Sequence, residues 1–68
     1  MFEKELNDRL RNLRSRNGMT QRQVADYLGV EVSTYAHYEK GDRLPDVNKL
    51  AMLARLYHLT DEILGVGI

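Results

Sequence analysis

Sixty-eight residues, 43% of them apolar and 29% charged, can bury one modest core, so a single domain over residues 1–68 is expected. The chain has no cysteine, which excludes a disulfide framework and a thiolate metal site and fits a reducing cytoplasm. No apolar run reaches the length of a membrane span, no signal peptide is visible, and a formal net charge of +0 offers nucleic acid no global attraction.

The first helix is predicted over residues 3–16. Leu6, Leu10 and Leu13 recur at helical spacing as its buried stripe, and Phe2 extends it. Glu3 and Glu5 suit its N-terminus, and Arg14 and Arg16 suit its C-terminus. Asn17-Gly18 ends it, and Met19 packs back on the last turn. Thr20 is a natural N-cap for a second helix over 21–28, with Val24, Ala25 and Leu28 on one apolar face. Ala25 is small enough for another helix to cross closely. Gly29 stops this helix and turns the chain at φ > 0, and Val30 covers the turn from the core side. A third helix follows over 32–40, with Tyr35 and Tyr38 turned inward and the Tyr35 hydroxyl near the surface. Gly41 closes it, and Pro45 marks a loop. Asp46 caps a fourth helix over 47–57, whose Val47, Leu50, Ala51, Leu53 and Ala54 are expected to face the core. His58 is read as a partner of the dipole at its C-terminus. Thr60 is read as the cap of a short fifth helix ending at Leu64, with Asp61 and Glu62 in its first turn, before an apolar tail. The fold class expected is all-α, a compact five-helix domain without repeats or linkers.

The segment from Thr20 to Gly41, TQRQVADYLGVEVSTYAHYEKG, is two short helices joined by a tight turn. That is the layout of a DNA-reading helix-turn-helix. Arg9, Arg11, Arg14, Arg16 and Arg22 fall in a stretch without acids, and Lys40 and Arg43 form a second basic site; by themselves these charges read as a solvated helix surface, and beside the motif as a local attraction for phosphates. Arg11 and Arg16 are read as surface charge.

Gln-x-x-Val-Ala at the second helix, Gly-Val at the turn, Tyr-Glu-Lys-Gly at the end of the third helix and Pro-x-x-x-x-Leu beyond it are jointly specific. Together they resemble the phage repressor/Cro-like, or XRE-type, helix-turn-helix family, from about Leu6 to Leu64. The resemblance implies a compact repressor-like domain that binds double-stranded DNA and regulates transcription from a palindromic operator as a homodimer. It further implies a cytoplasmic, nucleoid-associated protein of prokaryotic or phage origin. Glu31, Val32, Ser33, Thr34 and His37 would then meet base edges. Val32 would touch a thymine methyl, Glu31 a cytosine amino group, and His37 a guanine or a phosphate. Gln21 would grip the sugar-phosphate chain beside an exposed Arg22, and Lys40 and Arg43 would meet the opposite backbone. Arg14 and Glu39 would form an ion pair between the first and third helices that sets fold geometry. Leu59, Ile63, Leu64, Val66 and Ile68 would supply a dimer surface, as the last helix does in relatives, or close the monomer's core. The sequence departs from the family at Glu31, where Ser or Thr is usual, and it lacks an Arg or Gln for bidentate base contacts.

The other residues have plainer alternatives. Ser33 and Thr34 serve equally as helix-start caps, His37 as a solvated residue, and Tyr27 as an outer-face contact with DNA, a partner or water. Neutral net charge, Glu31 and the apolar tail suit a second class: a protein-interaction module such as an antitoxin or anti-repressor with weak or no DNA binding. An enzyme is not expected. His37 and His58 have no acid at metal-ligand spacing, Ser33 has no nucleophile turn, and there is no Gly-rich phosphate loop, so no metal or cofactor is implied.

Overall fold

The computed structural model describes residues 2–58 of the chain. Four α-helices follow one another: α1 (Phe2–Arg16), α2 (Gln21–Leu28), α3 (Val32–Lys40) and α4 (Val47–Tyr57). Three of them match the ranges read from the sequence, and α1 begins one residue earlier.

The helix ends are set by local chemistry. Thr20 and Gln23 form a reciprocal capping box at the start of α2. The Gln23 N–H donates to Thr20 Oγ1 at 3.1 Å, and the Thr20 N–H donates to Gln23 Oε1 at 2.8 Å. Gly29 closes α2 in the left-handed region, φ 74°, and the Val30 N–H reaches back to the Ala25 carbonyl at 3.0 Å. These backbone bonds satisfy carbonyls that the helix end would otherwise leave open. Asp46 caps α4 by accepting from the Lys49 N–H at 2.8 Å.

The core is one cluster. Leu10 and Leu13 of α1, Val24, Ala25 and Leu28 of α2, Tyr35 and Tyr38 of α3, and Leu53 and Tyr57 of α4 are its buried members. Leu6, Met19 and Val30 pack against its edge. Tyr35 and Tyr38 meet edge to face with ring centroids 6.0 Å apart, a geometry that ring quadrupoles favour.

Three expectations are corrected. Four helices, not five, make up the described residues, and α4 leaves helical geometry at His58, φ 57°. The expected fifth, Thr60 to Leu64, lies outside the described residues. It rested on one cap and two acids over five residues, too short a stretch to specify a helix by itself. Val47 does not face the core: it is 75% exposed, because it sits at the first position after the cap, ahead of the buried stripe of Leu53, Ala54 and Tyr57. The Tyr35 hydroxyl does not reach the surface; the residue is fully buried. His58 does stand at the C-terminus of α4, and it is also the left-handed residue that ends the helix, its N–H bonded to the Ala54 and Arg55 carbonyls, a place more often held by Gly or Asn.

Candidate nucleic-acid interface

The turn at Gly29 seats α3 across α2. Tyr35, Tyr38 and Glu39 point inward, and the opposite face is left to solvent. On that face Ser33, Ala36, His37 and Lys40 follow at three- and four-residue spacing, with Ser33 and Lys40 exposed and Ala36 and His37 half-buried. Val32 and Glu31 flank it at the helix start, both exposed. Thr34 is half-buried to one side. Glu31 occupies the N-cap of α3 without a side-chain hydrogen bond to the first turn.

The inner face of α3 is anchored by charge. Arg14 Nε stands 2.6 Å from Glu39 Oε2, and Arg14 Nη2 donates to Glu39 Oε1 at 3.1 Å, a bidentate pair between α1 and α3. The Glu39 side chain is 4% exposed and that of Arg14 18%. Burial alone would raise the Glu39 carboxyl; hydrogen bonds led by Arg14 outweigh it and hold the group below its ordinary value. The same hydrogen bond raises the Arg14 guanidinium. The Tyr35 hydroxyl is near this carboxylate but has no acceptor in hydrogen-bonding geometry, and burial pushes its pKa up.

Gln21 belongs to the same cluster. Its Nε2 donates to Glu39 Oε1 at 3.1 Å, so a residue expected at the phosphates also ties α2 to α3. An amide nitrogen carries two donors, and one remains for another acceptor. Arg22, Lys40 and Arg43 are exposed and form no ion pair among the described residues.

Contacts at two further places, the end of α3 and His37, escaped the sequence reading. Asn7 Nδ2 and Arg11 Nη2 both donate to the Glu39 carbonyl at 3.1 Å, covering the C-terminal end of α3 from α1. Arg11 is therefore more than surface charge. The signal was present: Asn7 and Arg11 are four apart and lie beside Leu10 on one side of α1. Gly41 follows, with φ 91°, and a Cβ there would stand 3.0 Å from Asn7 Nδ2. The contact missed at the second place joins His37 Nδ1 to Asp42 Oδ1 at 2.9 Å, with the two side chains 45% and 55% exposed. This bond lowers the Asp42 carboxyl below its usual range. Leu59, Ile63, Leu64, Val66 and Ile68 lie outside the described residues.

A model of a helix-turn-helix domain family matches residues 5–64, and the chain belongs to that family. It is 49% identical over 59 residues to the HTH-type transcriptional regulator AnsR of Bacillus subtilis (strain 168), covering 85% of this chain and 51% of that protein. It is 36% identical over 61 residues to the regulator ImmR of the same organism, covering 88% of this chain and 48% of that one. It is 34% identical over 62 residues to the cryptic phage CTXphi transcriptional repressor RstR of Vibrio cholerae, covering 90% and 55%. The chain thus spans about half the length of these relatives, all of them named as transcriptional regulators or repressors and none as an enzyme. No solved structure gives a significant match. No helix among the described residues is long and apolar enough to cross a membrane.

Proposed function

We propose that residues 1–68 form one sequence-reading unit of a cytoplasmic transcriptional regulator, a repressor that binds a palindromic operator in double-stranded DNA as a homodimer. The observation that carries this reading is the outward face of α3, which leaves Ser33 and Lys40 exposed and His37 half-exposed, on a domain where Arg22 and Arg43 are exposed as well. An α-helix with such a face fits the major groove, where each base pair shows its own donor and acceptor pattern. Glu31, Val32, Ser33 and His37 read base edges, with Thr34 at the margin because it is half-buried. Gln21, Arg22, Lys40 and Arg43 hold phosphates. Arg14 and Glu39 fix the angle of α3 and do not touch DNA. The dimer surface is assigned to Leu59, Ile63, Leu64, Val66 and Ile68.

Selection of bound duplexes from a random pool tests the reading. An enriched palindrome supports it, and its half-site spacing gives the docking geometry. Equal recovery of all sequences, or of none, refutes it. Arg22→Glu is expected to weaken binding to every sequence and to flatten the salt dependence, since each phosphate contact releases counterions. Unchanged binding by that variant would show the docking orientation to be wrong. Sedimentation at tens of micromolar tests the dimer, and a strict monomer would defeat it.

A second reading, a module for a protein partner, draws on Leu44 and Val47, which are 56% and 75% exposed. Absence of duplex binding by the purified chain would favour it.

A further inference from the structure

We infer that Asp42 sets the base preference of this interface by fixing the tautomer of His37, so that the neutral imidazole presents Nε2 to the groove as an acceptor rather than a donor. The inference rests on the DNA-reading role assigned to α3 above.

The geometry decides the tautomer. His37 Nδ1 and Asp42 Oδ1 are 2.9 Å apart. An ionised carboxylate only accepts, so the proton of the bond must be on Nδ1. The neutral ring then has a bare Nε2. The hydrogen bond from His37 is the main reason the Asp42 carboxyl is lowered, which favours its ionised, accepting form. Among the described residues, Lys40 is the other charged group acting on Asp42.

The placement makes the tautomer matter. His37 shares the outward stripe of α3 with Ser33 and Lys40. The left-handed turn at Gly41 brings Asp42 back beside it, five residues on. With Nδ1 held by Asp42, Nε2 is the ring nitrogen left for a base. A bare Nε2 accepts from the amino group of adenine N6 or cytosine N4; a protonated Nε2 donates to N7 or O6 of guanine. An exposed pair is weakened by competing water, and a groove that expels that water strengthens it. Loss of Asp42 frees the neutral ring to carry its proton on Nε2.

Two measurements on the full chain test this. Nitrogen-15 spectra of the imidazole, recorded near pH 8, are expected to show Nδ1 protonated and Nε2 bare in the parent. In Asp42→Ala the proton is expected to move towards Nε2, with the thermal melt retained. Duplex selection is then run at the same pH. The parent is expected to select adenine or cytosine at one step of each half-site, a preference that His37→Ala loses. Asp42→Ala is expected to move that step to guanine. If the parent and Asp42→Ala share one tautomer and select the same base, Asp42 has no such role and DNA reading stands. If the parent enriches no duplex at all, the DNA-reading assignment falls, and this inference falls with it.

Discussion

Removing the carboxylate of Glu39 is the sharpest test of what holds α3 in place. The side chain is 4% exposed and accepts from Arg14 and Gln21, while its backbone carbonyl accepts from Asn7 and Arg11. Glu39→Ala leaves the carbonyl contacts and strips both side-chain donors of their partner. Breaking a buried ion pair from one side costs about 3–5 kcal/mol, because the remaining charge is buried without compensation. Arg14 is 18% exposed and still donates to the Met19 carbonyl at 3.1 Å, which puts the cost near the lower figure. A chain of this length is worth roughly 3–10 kcal/mol in total, so the loss consumes a large part of it. At about 4–8 °C per kcal/mol, the melting temperature is expected to fall by roughly 12–24 °C. The control is Asp42→Ala, which breaks a solvent-exposed pair and is expected to leave the melt nearly unchanged. Thermal melts followed by circular dichroism at neutral pH compare the two. Equal melting temperatures would refute the claim that the Arg14–Glu39 pair is structural. An apolar replacement of both partners, Arg14→Met with Glu39→Leu, is expected to recover much of the loss, since neither charge is then stranded.

Acid titration gives a second test. The Glu39 carboxyl is held low in the folded state, so its stabilisation is complete above the ordinary glutamate value of about 4.3 and is lost as pH falls through the folded value. The stability gap between the parent and Glu39→Gln is therefore expected to shrink below about pH 4; a gap that stays constant from neutral pH into acid would contradict it. Gly41→Ala is expected to lower the urea midpoint more than Gly29→Ala. Both positions have positive φ, which costs an L-residue about 1–2 kcal/mol, but only at Gly41 does the added Cβ also meet Asn7, at 3.0 Å; equal losses would argue against that close approach. Glu31→Ser supplies the missing side-chain cap of α3 and is expected to raise stability by about 0.5–1 kcal/mol and to tighten duplex binding; an unchanged melt would show that the cap is not limiting.

The parts legible in the sequence are those governed by neighbours along the chain. Thr20, Gly29, Gly41 and Asp46 mark the helix ends because caps and left-handed turns are local decisions, and the structure has each of them in that role. Val47 misled because apolar character continues to the first position of α4, while burial depends on where the helix touches its neighbours. Asn7 and Arg11 could be paired along α1, but their acceptor, like that of Gln21, was opaque for a related reason. Their partner is Glu39, 32, 28 and 18 residues away, and only the crossing of α1 and α2 with α3 brings them to it. His37 and Asp42 are five apart, outside the three- and four-residue pairs that a helix presents, and they meet only because Gly41 reverses the chain.

The same contacts bear on how a chain of zero net charge could offer the phosphate-binding face proposed above. Several acids are engaged close to home. Glu39 is neutralised inside by Arg14, Asp8 lies 3.8 Å from Arg11, Asp42 faces His37, and Asp46 serves the N-terminus of α4. Arg22, Lys40 and Arg43 form no ion pair among the described residues and stand in solvent. Fields over a surface follow this local arrangement rather than the total, because exposed charges beyond about 8–10 Å are screened at ordinary ionic strength. Glu31 is the acid that this arrangement leaves exposed at the start of α3, uncapped and on the face proposed to meet DNA. If it accepts from a cytosine amino group, replacing it relaxes one base preference; if it only repels phosphate, replacing it strengthens binding to all duplexes alike. Comparing the selected sequences of the parent and Glu31→Ser separates the two roles, because specificity and overall affinity move independently.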